Sequence, residues 1–156
     1  MRRSLCVLAL GLGLSAASLS VPRQVQATLG EPADSVAKDR QTLKAAKQTA
    51  TARDGYTVEE VVSDANTVRE YISASGIVFA IAWNGLTHPD LAQLLGSYTG
   101  EYRQALKQTP RTQGRRHFQV KTNRVVVEKW GHMRNLQGRA YDPALIPSGV
   151  SIDEIK

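Results

Sequence analysis

The stretch Ile77-Val78-Phe79-Ala80-Ile81-Ala82-Trp83 is continuously apolar, opened by the turn pair Ser75-Gly76 and closed by Asn84-Gly85. A short run of β-branched and aromatic residues between two turn signals predicts the central, most buried strand of a sheet. Upstream, Thr67-Val68-Arg69-Glu70-Tyr71-Ile72 alternates two faces, as a strand exposed on one side does. Asp64-Ala65-Asn66 supplies the preceding turn, and Tyr56, Val58, Val61 and Val62 open a β-rich block after the punctuation at Asp54-Gly55. Residues 36–50 are strong helix formers in which Val36, Leu43, Ala46 and Ala50 draw a thin apolar stripe, so a helix is predicted there, with Asp34 or Ser35 as its cap.

Downstream, Thr87 is placed to cap a short helix over residues 89–95, with Pro89 in its first turn, Asp90 near its positive end and Gly96 as its stop. Tyr98, Tyr102, Ala105 and Leu106 recur at helical spacing up to Pro110, and the two tyrosines read as half-buried core. Residues 117–121 and 124–130 read as strands joined by a tight turn at Thr122-Asn123. Val125, Val127 and Lys129 then face one way, and Val126, Glu128 and Trp130 the other. Residues 133–141 form a further strand interrupted by Gly138, and residues 142–156, with Pro143 and Pro147, read as an irregular tail packed over the domain. The expected fold is α+β, an N-terminal helix packed on a mainly antiparallel sheet of five to six strands, with two short helices inserted mid-chain. No repeat at solenoid spacing is visible.

The bulk numbers agree with a single domain: 156 residues, 42% hydrophobic and 22% charged, too apolar for a disordered chain. No run of eighteen apolar residues occurs, which excludes a membrane-spanning helix inside the domain. The first 27 residues read as a cleaved signal peptide: Met1-Arg2-Arg3 is basic, residues 5–14 are apolar, and Val25-Gln26-Ala27 presents small residues at a cleavage point before Thr28. The apolar run is too short to span. The expected location is therefore periplasmic or secreted, with residues 28–156 as one globular domain. Cys6 is the only cysteine and lies in this leader, so the mature chain has no thiol and forms no disulfide.

The segments Thr28-Leu29-Gly30, Phe79-Ala80-Ile81-Ala82-Trp83-Asn84-Gly85, Pro89-Asp90-Leu91, Leu94-Leu95-Gly96-Ser97-Tyr98, Gly131-His132-Met133-Arg134 and Gly138-Arg139-Ala140-Tyr141, with Pro143, resemble the DUF2844 family of secreted bacterial proteins of unknown function. The resemblance covers nearly all of the mature chain. It implies export and a stand-alone domain, and it assigns no catalytic residue.

Charge is unevenly distributed. Residues 28–102 carry 6 basic and 10 acidic groups, residues 103–139 carry 10 basic groups against Glu128 alone, and residues 140–156 are net acidic. If Arg111, Arg115, Arg116, Lys121, Arg124, Arg134 and Arg139 shared a face, they would concentrate an anionic partner in a salt-dependent way. Solvated side chains on both faces of two strands would account for the same charges. For an exported protein the expected partner is an envelope protein or an anionic envelope polymer. Nucleic acid is disfavoured, because Phe118 and Trp130 are the only aromatics interleaved with the cations.

The chain has no HExxH, Gly-rich phosphate loop or GxSxG elbow. Capping explains His88 and Asp90 better than metal binding does. The enzymatic alternative, a small hydrolase or metal-dependent enzyme, would need His132, Glu128 and Asp142 to converge. A third reading is strand addition at an exposed edge over residues 56–63. The sequence therefore favours a binding module without cofactor, metal or catalytic residue.

Overall fold

The computed structural model describes residues 28–33, 48–110 and 116–156. Its strands are β1 (Gln48–Arg53), β2 (Tyr56–Val62), β3 (Asn66–Ser73), β4 (Val78–Gly85), β5 (His117–Lys121), β6 (Val126–His132) and β7 (Asn135–Tyr141). They form one seven-stranded sheet in the order β1-β2-β3-β4-β7-β6-β5, antiparallel throughout. The first four strands meander. The chain then leaves the sheet through α1 (Leu91–Leu95), a 3-10 turn (Gly96–Tyr98) and α2 (Thr99–Gln108), re-enters at the far edge as β5, and returns through β6 so that β7 pairs with β4. No helix among the described residues is long and apolar enough to cross a membrane.

This architecture overturns the expected α+β arrangement of an N-terminal helix on five to six strands. Gln48, Thr49 and Ala50, placed at the end of the predicted helix, belong instead to β1 and pair with Val61, Glu60 and Glu59. The earlier part of that predicted helix lies outside the described residues, as does the predicted leader. The physical reason is the two-residue loop Asp54-Gly55. Asp54 keeps a negative φ and Gly55 sits at φ 80°, the type II pattern that calls for glycine at the second central position, and the turn sets Arg53 opposite Tyr56. Once that loop closes, ladder hydrogen bonds override helix preferences worth only a few tenths of a kcal/mol per residue, ~0–0.7 on the usual scale.

β4 lies at the centre of the sheet, and its first six residues are all buried. Its register against β3 shifts between Tyr71 and Ile72, leaving Phe79 as the extra residue of a bulge. Phe79 and Ala80 therefore join one core while Val78 and Ile81 join the other. On the first face Leu91, Leu94, Leu95, Tyr98 and Tyr102 from the helical layer pack on Val68, Ile81, Trp83, Val127 and Ala140. Asp90, rather than the expected Thr87, caps α1 by accepting from the Ala92 amide. Leu29 is fully buried here, and its amide donates to the Leu94 carbonyl at 2.9 Å.

The second face is covered only in part, by residues 142–156. Ile155 is fully buried against the cluster of Tyr56, Tyr71, Phe79, Val126 and Tyr141, a contribution of ~1.5–3 kcal/mol that anchors the tail. Tyr56 donates to Glu154 Oε2 at 2.9 Å and Tyr71 to the Lys156 carbonyl oxygen at 2.9 Å. A capping box between Ser151 and Glu154 shapes the tail's one short 3-10 turn, Ile152–Glu154. The rest of this face is polar and open.

Candidate functional site

Strand alternation and register build the open part of the second face as two rows across the sheet. Glu60, Arg69, Ala82, Arg139, Glu128 and Gln119 are successive cross-strand partners from β2 to β5. The next row, two residues along each strand, is Thr67, Asn84, Gln137, Trp130 and His117. Directly opposed side chains in antiparallel strands lie ~4.5–5.5 Å apart at Cβ, so the second row is a continuous run of polar and aromatic groups, whereas the first is divided at its middle by the buried Ala82.

Glu128 is the anchor of the first row. Its side chain is 8% exposed, and it pairs through Oε2 with Arg139 Nε, whose side chain is 18% exposed. Its other oxygen accepts from Gln119 Nε2 at 2.8 Å and lies 3.9 Å from His117 Nε2. Arg139 also donates through Nη1 to the Ile152 carbonyl at 2.6 Å, which ties the row to the tail. On the β2 side, Arg69 pairs with Glu60 at 2.7 Å and donates to Asn84 Oδ1 at 2.8 Å. A buried pair satisfied on all sides holds its geometry firmly, because removing one partner strands a charge.

In the second row the Trp130 indole donates to Gln137 Oε1 at 3.0 Å, and Gln137 in turn donates to Asn135. The His117 ring stacks on Trp130 at 6.3 Å between centroids and 23° between planes. The Arg139 guanidinium lies 5.7 Å from the indole centroid. The result is a half-exposed aromatic plate bordered by amides and guanidinium groups whose orientations are already fixed. Such a surface offers an apolar π-face together with directional hydrogen-bonding groups.

Across residues 25–155 the chain matches the family model described as a protein of unknown function, DUF2844. The chain belongs to the DUF2844 family. No curated protein and no solved structure matches it. In this DUF2844 domain, residues 79–83 form most of the central strand, 131–134 end β6 and make its turn into β7, and 138–141 place Arg139 on the open face.

Of the seven cations singled out in the sequence, the five described do not share one face. Arg139 is committed to Glu128. Arg124, at the β5–β6 turn, pairs with Glu101 of α2 at 3.2 Å and lies 4.7 Å over the Tyr98 ring, and Lys121 is exposed at that same end of the sheet. Arg116 and Arg134 are exposed at the opposite end, beside His117 and the β6–β7 turn. Lys129 points to the helical face, 5.8 Å over the Tyr102 ring. Arg111 and Arg115 lie outside the described residues.

The enzymatic constellation is not assembled. Glu128 and His132 lie four residues apart on β6, ~13 Å along the strand, whereas that spacing would gather them only on a helix. Asp142 follows β7 and is held by Tyr98, whose hydroxyl donates to Oδ2 at 2.7 Å, and by the Ala144 amide. Burial, then that bond, pushes the Tyr98 hydroxyl up to about 12. His88 accepts the Trp83 indole N–H at 2.9 Å through Nδ1 and serves the core, not a cap. Burial, then Lys129, holds its pKa below the usual histidine value. Among the described residues no three His, Cys, Asp or Glu side chains cluster to hold a metal. The strand-addition reading fails at its chosen edge, since β2 is interior, flanked by β1 and β3.

Sequence reasoning missed Glu60, Arg69, Asn84, Gln119 and Gln137 as members of the two rows that run through Arg139 and Trp130. Their signal was the two-residue alternation in each strand, but which strands lie side by side is not written in any one of them.

Proposed function

We propose that residues 28–156 act as a non-enzymatic binding module of the cell envelope, exported by residues 1–27 and released before Thr28, that takes an anionic polysaccharide on the open end of the sheet. The observation that carries this reading is the half-exposed Trp130 plate, stacked by His117, overlain by Arg139 and bordered by Gln137. A sugar ring presents an apolar C–H face and a rim of hydroxyls. An indole set among pre-oriented planar amides complements both at little ordering cost. Arg116 and Arg134 are exposed at the same end and make no ion pair among the described residues, which leaves them available for the acidic groups of the polymer.

The test is an amide chemical-shift titration with polygalacturonate, and with dextran as the neutral control, at low and moderate salt. The expected result is salt-sensitive shifts at the Trp130 indole N–H and at the His117, Gln119 and Gln137 amides, with the three amide shifts lost in Trp130→Ala. Unmoved resonances on this face would refute the polysaccharide reading and direct the search to an envelope protein by crosslinking.

A further inference from the structure

Towards the β1 edge of the same face, strands β1 to β3 and the end of the tail enclose a groove of about 400 Å³, lined by Thr49, Thr51, Arg53, Tyr71, Glu154 and Lys156 among others. That volume lies within the range of small-molecule sites, ~300–1,000 Å³. Its acids are already engaged. Glu60 accepts from Arg69 at 2.7 Å, and Glu154 accepts from the Tyr56 hydroxyl at 2.9 Å and from the Ser151 amide at 3.0 Å. The Tyr71 hydroxyl is engaged on both sides by the Lys156 backbone, donating at 2.9 Å and accepting at 3.0 Å.

The opposite holds for the cations. Arg53 and Lys156 line the groove and make no side-chain hydrogen bond or ion pair among the described residues. After the Ser151 amide and the Tyr56 hydroxyl, Arg53 is near enough to Glu154 to lower that carboxyl's pKa as well, and with Arg69 the two leave the lining one positive charge in excess of Glu60 and Glu154. Thr49, Thr51 and Arg53 alternate along β1, which sets two hydroxyls and a guanidinium on one wall at steps of ~7 Å. The aromatic floor at Tyr71 is 3% exposed and fixed. A guanidinium, an ammonium and hydroxyl donors around a bounded volume are the complement of a compact anion with a polar body.

We propose that this groove is a second binding site, for a carboxylate- or phosphate-bearing molecule of monosaccharide to dipeptide size, with Arg53 and Lys156 holding the anionic group and the Thr49 and Thr51 hydroxyls the polar body. The site is independent of the Trp130 plate. The experiment is an amide-shift titration of protein purified after expression of the full chain, with glucuronate, inorganic phosphate and glucose as separate probes. Saturable shifts confined to residues 49–53 and Lys156 are expected with at least one anion and not with glucose. Glucuronate alone would mark a sugar acid as the ligand type, and phosphate alone a phosphoryl group. Arg53→Gln combined with Lys156→Gln should weaken binding tenfold or more, while Trp130→Ala leaves it unchanged. Both substituted side chains are exposed, and unchanged resonances elsewhere in the sheet report an intact fold. Absence of saturable shifts with either anion, equal shifts with glucose, or undiminished affinity in the double variant overturns the proposal.

Discussion

Replacing Gly138 with alanine tests how β7 and the core are fitted together. Gly138 lies on β7 opposite Trp83, and a methyl group there would stand 2.3 Å from Trp83 Cζ2 and 2.6 Å from the Glu128 carbonyl oxygen. Carbon atoms rest at ~3.5–4.0 Å, so the indole would have to retreat by more than 1 Å. The indole is 2% exposed in the main core, and its N–H donates to His88 at 2.9 Å, a bond that a retreat of this size would stretch beyond hydrogen-bonding range. The second obstacle is backbone and cannot swing aside. Overpacking costs ~1–3 kcal/mol and the lost buried hydrogen bond ~1 kcal/mol more, so a destabilisation of about 3 kcal/mol is expected. At roughly 3–5 °C per kcal/mol for a domain of this size, Tm should fall by about 10–15 °C. Urea unfolding followed by tryptophan fluorescence and calorimetry measures both. Repeating the substitution in a Trp83→Phe background, which lacks Cζ2, should shrink the penalty and leave only the carbonyl clash. A loss under about 1 kcal/mol in the parent, or the same loss in both backgrounds, would refute the reasoning.

Tyr98→Phe removes the buried bond to Asp142 and should cost about 1–3 kcal/mol in urea unfolding, with little change if Asp142 is also replaced by an apolar residue of similar size. Arg139→Gln leaves Glu128 buried without its counter-charge and should cost about 3 kcal/mol, recovered in part by Glu128→Gln in the same chain. His88 is held neutral by burial and by Lys129, so the unfolded chain binds the proton first. The stability this contributes is fully present above the ordinary value of 6.5 and is lost as pH falls from there through the lower folded-state value. Urea midpoints between about pH 7.5 and pH 5.5 should show the decline, and His88→Gln should flatten it. Tyr56, Tyr71, Tyr98 and Tyr141 all have their hydroxyl pKa raised, mainly by burial, so absorbance titration should find most tyrosines still protonated at pH 10.

Much of the sheet is legible because a strand's local code is its alternation. Val125 and Val127 enter the helical core while Val126 enters the tail-side cluster, as reading every second residue indicates. The apolar run at 77–83 is likewise the middle of the sheet, because a strand covered on both faces has no polar side to show. β1 was not legible in this way. QTATAR carries no large apolar residue, and Ala and Gln favour a helix when judged alone. The local clue is Asp54-Gly55, a hairpin dipeptide that pairs whatever precedes it with the β2 strand that follows. Gly138, by its residue type an interruption, continues β7 because the missing side chain makes room for Trp83.

The sequence by itself determined the strand-rich character of the chain, which residues of each strand share a face, the family, and the excess of cations between residues 103 and 139. Only the tertiary structure decided where those cations point and whom they meet: Arg139 to Glu128, Arg124 to Glu101, and Lys129 to the opposite face. It also decided that β7 returns to pair with β4, which brings Arg69 and Asn84 into line with Arg139 and Trp130. The physical reason is range. Side-chain alternation and turn geometry act within a few residues, whereas strand order, ion pairing and the tail's cover are set by contacts between segments far apart in the chain, and no local pattern encodes which of several compatible partners will be adjacent.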